Sequence, residues 1–501
     1  MSGEVPEGYL GTDGRITSGP APELVAAGYA LELSDAPTLH EGLLDADLAH
    51  VLHLEERGLL DSEVTAALLR ALLDLGSIPA ADFPYDVTLG DAYNSREREL
   101  ERRVGRTAGF VHLGRTRREA GRIAFRMALR ERLEALAAEV SGLGLAIADR
   151  AEEHAGTVWA DVTYLQLAQP STFGHYLAAF AEETSRHLPR LRHAYEWADT
   201  SPAGSGGVAG TGLALDRQRL AEILGFSRVG RNTRDTMWTI DGLIDAVTAA
   251  SQAATTCDRL AEDLQIFASA GFGLVKVDAS LCRASVLMPQ KRNPYALSVI
   301  RAGASTLVGR LAGIAATART PSASTDNWLH SYGEVVSAVE LACRIVALTS
   351  AVVRTLQIDA ARMARSAADD QALATDLAER LVVEAGLDYR TAYRVVGRAV
   401  SVALDTATPI TPEAVQAAAD AVLGSGHGLA TVNVVLPEPV ALVSSRVESG
   451  GCAPESVRAE LAALRPELST QAAWFLERSA SSAAARRALR ERAARVASRT
   501  R

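Results

Sequence analysis

The residues best suited to chemistry lie in one short stretch, Ala284-Ser285-Val286-Leu287-Met288-Pro289-Gln290-Lys291-Arg292-Asn293-Pro294. Asn293 followed by Pro294 predicts a helix start, with Asn as the cap and Pro at the first helical position, leading into a helix over Tyr295–Ala318. Ser285 then sits on a loop near Lys291 and a helix N-terminus. A hydroxyl, an ammonium group and free backbone N–H groups suit a carboxylate ligand or a negative charge that develops during reaction. By residue type alone, the same stretch also reads as a capped helix after an ordinary loop.

Further polar segments flank it. Val111-His112-Leu113-Gly114-Arg115-Thr116-Arg117-Arg118-Glu119 offers Arg117 and Arg118, whose guanidinium forks can clamp carboxylates by paired hydrogen bonds, or can form a surface ion pair with Glu119. Thr163-Tyr164-Leu165-Gln166-Leu167-Ala168-Gln169-Pro170 brings a second hydroxyl-rich segment. Thr116 and Thr163 are candidate hydroxyl donors to a substrate, and threonine is equally at home at a helix start. His175 at the start of a helix, and His154 and His187 on helical faces, read as core or surface histidines rather than catalytic ones.

The Ser285 stretch resembles the signature loop of the fumarase/aspartase superfamily, G-S-S-x-M-P-x-K-x-N-P. Aligning Met288, Pro289, Lys291, Asn293 and Pro294 puts Ser285 on the first serine, with Ala284 in place of Gly and Val286 in place of the second Ser. The arginine segment is similar to the K-L-H-T-G-R-S-R-N-D of argininosuccinate lyases, and Thr163–Pro170 to their T-H-L-Q-x-A-Q-P. Ser201–Thr211, Ala374–Ala378 and Gly450–Pro454 resemble P-L-G-x-G-A-L-A-G-T, A-T-D-L-A and G-G-T-A-P. The matches keep the family's order from about Asp91 to Glu460.

The resemblance implies an all-α protomer of three domains with a long central helical bundle. Four protomers would assemble into one multi-helix core, with each active site built from three subunits. It also implies elimination across the Cα–Cβ bond of a succinyl group on nitrogen. A base takes a Cβ proton, the neighbouring carboxylate becomes a doubly charged enediolate, and the C–N bond breaks to give fumarate and an amine. Stabilising that charge is the main catalytic task. Ser285 is implied as the base, acting as an oxyanion in a closed, cationic loop where Lys291 and backbone donors favour the charged form. Lys291 and Asn293 also suit the substrate carboxylates. Arg117, Arg118, Thr116, Thr163, Gln166 and Met288 complete the implied substrate contacts.

Several positions depart from the family pattern. Tyr164 stands where the family has a histidine often assigned to the leaving nitrogen or to orienting a water, and tyrosine, with a reference pKa near 10, is a different acid. Arg118 replaces an Asn, which predicts an additional negative group or altered binding. Ala284 predicts restricted closure of the loop, because Gly adopts backbone angles that Ala does not. His112 matches its motif and is open to either support of the arginine loop or substrate contact. Around His330, argininosuccinate lyases carry a Tyr, Gln and Lys recognition set. This chain reads Ser324-Thr325-Asp326-Asn327-Trp328-Leu329-His330-Ser331-Tyr332, where none of the three aligns. The expectation is therefore a carbon–nitrogen lyase that cleaves an N-substituted aspartate to fumarate and an amine, or runs the addition, without metal or organic cofactor. The alternatives are a true argininosuccinate lyase and a non-catalytic structural or binding homologue.

The elements that must hold these residues are helical by pattern. Arg122–Ser141 and Leu243–Ala270 contain no Gly or Pro and carry apolar residues at three- and four-residue spacing, with Leu243, Val247, Cys257, Leu260 and Leu264 as one buried stripe. A small N-terminal helical domain, 1–121, is expected to contain amphipathic stretches at Leu43–Leu60 and Ser62–Leu75. The bundle with the catalytic loop spans 122–358. Asp359 is expected to cap the first helix of a C-terminal domain, 359–501, of shorter helices separated by turns at Gly386, Pro409–Pro412, Gly424–Gly428 and Pro437–Pro439. Its Ala- and Arg-rich tail from Ser479 reads as a solvated helix.

With 501 residues the chain is too long for one ordinary core. Its formal charge of −10 argues against a general nucleic-acid surface. No continuous apolar run reaches membrane-spanning length and no leader pattern opens the chain, so a cytoplasmic location is expected. Four scattered cysteines suggest neither a zinc site nor disulfides.

Overall fold

The computed structural model describes residues 15–324, 326–424 and 438–499. The protein is all-α, 70% helical, with a few short two-stranded ribbons. Its longest central helix, Arg117–Glu153, runs 37 residues and begins where the Thr116 hydroxyl accepts the N–H of Glu119. It outlasts the Gly- and Pro-free core of Arg122–Ser141 because tertiary contact overrides propensity at its far end. Gly144, for instance, lies against Leu468, where little room remains for a side chain. Helices Asp241–Phe267, Tyr295–Thr317 and Tyr332–Thr355 pack with it as the bundle. The stripe of Leu243, Val247, Cys257, Leu260 and Leu264 is buried throughout.

Arginine at every fourth position makes a polar seam along the Arg117 helix. Together they fasten several other segments to it. Arg118 pairs with Glu32 at 2.8 Å. Arg122 donates to Met237 O and to the Tyr332 hydroxyl, and lies 3.5 Å from the centre of the Trp328 ring. Arg126 donates to the carbonyls of Trp197 and Thr200, and Arg130 to Asp199 and Gly225 O. Burial and the adjacent charge of Arg122 push Arg126 down to about 9.

The N-terminal region contributes helices Ala36–Glu56 and Ser62–Gly76, the second capped by Asp61. The first starts well before Leu43 and is buried on nearly every side, so its amphipathic pattern is weak. Asp359 caps helix Ala360–Ala367 by accepting the N–H of Arg362. Beyond it, Leu377, Leu381, Val395, Val396 and Val415 form a small apolar cluster apart from the principal core. The turns expected at Gly424–Gly428 and Pro437–Pro439 fall largely outside the described residues.

The tail differs from expectation. Instead of short helices and a solvated end, Pro454–Ala497 is a single helix of 44 residues whose Leu461, Leu468, Leu489 and Val496 join the principal core. Arg486 and Arg490, one turn apart, both reach Asp45, a carboxylate with no exposed surface, at 2.8 and 2.9 Å. The arginines that suggested solvent thus pin the end of the chain to its beginning.

Two bundle helices, Tyr295–Thr317 and Tyr332–Thr355, are long and apolar enough by composition to cross a membrane, which the search for continuous apolar runs missed. Tyr332–Thr355 buries its apolar residues in the bundle core. Tyr295–Thr317 leaves Val299 and Val308 exposed.

Candidate active site

The short ribbons carry two of the three segments named from sequence. Val158–Thr163 pairs antiparallel with Gln166–Thr172, and the register Thr163↔Gln166 leaves Tyr164-Leu165 as a two-residue turn. Such turns need positive φ and favour Asn-Gly; here Tyr164 has φ 53° and Leu165 φ 61°. Each left-handed non-glycine residue costs about 1 kcal/mol or more. The turn places Tyr164, 98% exposed, at the tip of the hairpin. Thr163 and Gln166 are exposed beside it.

The second ribbon pairs Arg283-Ala284 with Arg292-Asn293 and closes the loop of residues 285–291. This corrects the expected cap. The helix starts at Tyr295 with Pro294 at the cap position, and the Asn293 side chain instead donates across the ribbon to Arg283 O at 3.1 Å. Ala284 sits in extended backbone that any residue adopts, so in this conformation it carries no cost from the missing glycine. Ser285 is half-buried, and its Oγ accepts the N–H of Met288 at 3.0 Å. A backbone donor thus already faces the oxygen that would carry negative charge. Lys291 is exposed at the far end of the loop, while Val286 and Leu287 stand almost fully in solvent and Met288 is 38% exposed.

The third segment is the start of the Arg117 helix. Arg115 is buried against Asp47 and Tyr93. His112 holds Glu97 at 2.6 Å and packs edge-on against Tyr93, a supporting geometry. Arg117 is partly exposed and, among the described residues, has only a loose partner, Asp91 at 3.6 Å. Arg118 faces Glu32, so the extra negative group its charge called for comes from the chain itself. Glu119 does not pair with either arginine; it accepts the N–H groups of Gly204 and Gly206 at 2.8 and 2.5 Å and so draws the Ser201–Thr211 loop onto the helix start. Gly206, at φ 62° and packed against the carbonyl of Gly210, leaves no space for a side chain. Burial pushes Glu119 up to about 7, opposed by those N–H groups and by Arg115 and Arg217.

Sequence reasoning missed Glu32 and Asp35, and gave no role to Trp328 and Tyr332. All four line a cavity with Arg117 and Arg118. Thr325 lies outside the described residues, and His330 is exposed. Among the described residues, no hydrogen bond or ion pair of the named site residues joins one of the three segments to another, and no group of side chains could hold a metal ion.

The chain is similar to known lyases over most of its length. Residues 46–309 match the lyase family and residues 371–423 the argininosuccinate lyase C-terminal family. An argininosuccinate lyase of Methanoculleus marisnigri is 37% identical over 434 residues, 86% of this chain and 88% of that one. The crystal structure of an EDDS lyase in complex with formate superposes with a TM-score of 0.84 at 29% identity, covering 98% of each chain. A variant of EDDS lyase with bound fumarate matches equally well, with the same TM-score, identity and coverage of 0.84, 29% and 98%. The chain belongs to the fumarase/aspartase superfamily and is an argininosuccinate lyase-like carbon–nitrogen lyase that acts on a fumarate-forming substrate.

Proposed function

We propose that the protein cleaves an N-substituted aspartate to fumarate and an amine other than arginine, or adds that amine to fumarate. Ser285 Oγ, as the base, takes the Cβ proton. The electron pair moves into the adjacent carboxylate to give the enediolate, then returns to form the C=C bond as the C–N pair leaves with nitrogen. Lys291, Asn293 and the N–H of Met288 stabilise the anionic base and the enediolate, and Arg117 holds a carboxylate. Tyr164 is the candidate donor to the departing nitrogen.

The observation that carries this reading is Ser285 on a loop with a backbone donor at its Oγ, in a chain where Glu32, Arg118 and Trp328 line the cavity at the start of the Arg117 helix in place of the argininosuccinate recognition set. Because, among the described residues, no hydrogen bond or ion pair of the named site residues joins the three segments, we propose that association of copies, four in all, completes each site. The exposed Tyr164, Val286, Leu287, Val299 and Val308 are the apolar surface such an assembly would cover. A true argininosuccinate lyase is the second reading, favoured by the 37% identical relative. Ultraviolet detection of fumarate separates the two. Release from argininosuccinate at a rate typical of enzymes supports the second reading; release from other N-substituted aspartates, or fumarate uptake with other amines, supports the first.

A further inference from the structure

Glu119, 1% exposed, joins the first turn of the Arg117 helix to the loop over Ser201–Thr211. Its two carboxylate oxygens accept one N–H each, from Gly204 and Gly206. Arg217 donates to Ala203 O, Gly230 O and the Ser205 hydroxyl, and Trp238 to Gly207 O, which fastens the other side of the loop to the chain beyond it. Among the described residues, the two bonds of Glu119 are the hydrogen bonds that tie the loop to the helix start. The tie reaches the named site residues. Gly207 passes close to the Thr116 methyl, and Gly114 packs tightly against Thr211 and Leu213. Thr116 in turn caps the helix whose first residue is Arg117. A loop held down at Gly204 and Gly206 therefore backs the turn that aims Arg117.

Both oxygens are needed for this. An ionised carboxylate offers an acceptor to each N–H, whereas a protonated carboxyl sets an O–H against one of them, donor facing donor. We infer that Glu119 is a positioning residue that acts through Thr116 and Arg117: ionised, it clamps the 201–211 loop to the helix start and holds Arg117 where it can take a substrate carboxylate; protonated, it lets the loop go. The inference rests on the reading above in which Arg117 holds a carboxylate. Burial pushes Glu119 up to about 7, against the pull of the two N–H groups and of Arg115 and Arg217. Arg217 faces it from helix Arg217–Ile223, and Arg115 from the preceding turn, with Asp47 and Tyr93 behind it. The clamp loosens as pH falls through about 7 and closes as pH rises.

The test is calorimetric binding of fumarate to the full chain, since both carboxylates of fumarate stay ionised between about pH 6 and about pH 8. With about a tenth of the chain clamped at about pH 6 and most of it at about pH 8, Kd is expected to tighten about tenfold over that range. Asp35, also held at about 7, titrates there too, so E119Q separates the two. Its amide keeps the size of the carboxyl but sets N–H against N–H, so the variant should bind fumarate at about pH 8 as weakly as the unaltered chain does at about pH 6, with no step between. A glutamate that only stabilises the fold would lower the melting temperature and leave the step in place. Hydrogen exchange of the 201–211 segment, corrected for its intrinsic pH dependence, should lose protection as pH falls through the same range. If E119Q does not fold, the joint loss of loop protection and fumarate affinity in the unaltered chain decides. A Kd indifferent to pH, a step that survives in E119Q, or loop protection indifferent to pH overturns the inference. R117A distinguishes this from failure of the reading beneath it. Fumarate bound as tightly by R117A as by the unaltered chain overturns the role of Arg117 and the positioning role with it; weak binding by R117A beside a step that survives in E119Q overturns the positioning role alone.

Discussion

Ser285 keeps its hydroxyl against the N–H of Met288, a contact that stabilises the oxygen more strongly once it is charged. Tyr164 is its chemical counterpart: a phenol with no hydrogen-bond partner among the described residues, set at a strained turn and available to whatever docks over it. If its phenol delivers the proton to nitrogen, Y164F lowers kcat by about 10²-fold with little change in KM. Steady-state kinetics of the folded variant check this, and an unchanged kcat would leave the ring a packing role only. At this scale the sequence reading placed Ser285 on a loop, where its partner Met288 is local. It missed partners that are distant. Glu32 and Arg118 are 86 residues apart, and nothing in the local pattern joins them. Asn293 was misjudged because a cross-strand bond to Arg283 competes with helix capping, and the ribbon was not foreseen.

The helices show the same division between local and distant information. Long segments free of Gly and Pro located the bundle, but neither the extension through Gly142 and Gly144 nor the fate of the C-terminal arginines followed from composition. Arg118, Arg122, Arg126 and Arg130 repeat every four residues, a legible stripe that only packing reveals as an internal seam. The C-terminal helix makes a measurable claim. Removing both partners of Asp45 in R486A/R490A leaves a fully buried carboxylate unpaired, so stability falls by about 3–5 kcal/mol at neutral pH. Burial holds Asp45 above its ordinary value, so it binds its proton more readily folded than unfolded. Loss of the arginines raises it further, and the defect shrinks as pH falls and the carboxyl is neutralised. Thermal melts of the double variant at neutral and acid pH test this, and an unchanged midpoint at neutral pH would contradict it.

For the whole molecule, the all-helical class was legible from the length and spacing of its apolar stripes. The separation of the three polar segments was implied only by the family resemblance, because motif order by itself says nothing about which copy supplies each part. If copies share their sites, R117A and S285A chains, each inactive alone, regain part of the activity when co-expressed, since some sites in the mixed assembly receive an intact Arg117 from one chain and an intact Ser285 from another. Activity of the purified mixed assembly measures this. No recovery would place all three segments of a site within one chain.

The central claim is that Ser285 removes the Cβ proton in a fumarate-forming elimination. The most direct measurement is the rate of fumarate formation by S285A beside the unaltered chain, using the N-substituted aspartate that the unaltered chain turns over best, with equal circular dichroism spectra. The account predicts a loss of at least about 10³-fold in kcat, as removal of a catalytic base or nucleophile produces. Fumarate formation by S285A within a few-fold of the unaltered chain would contradict it.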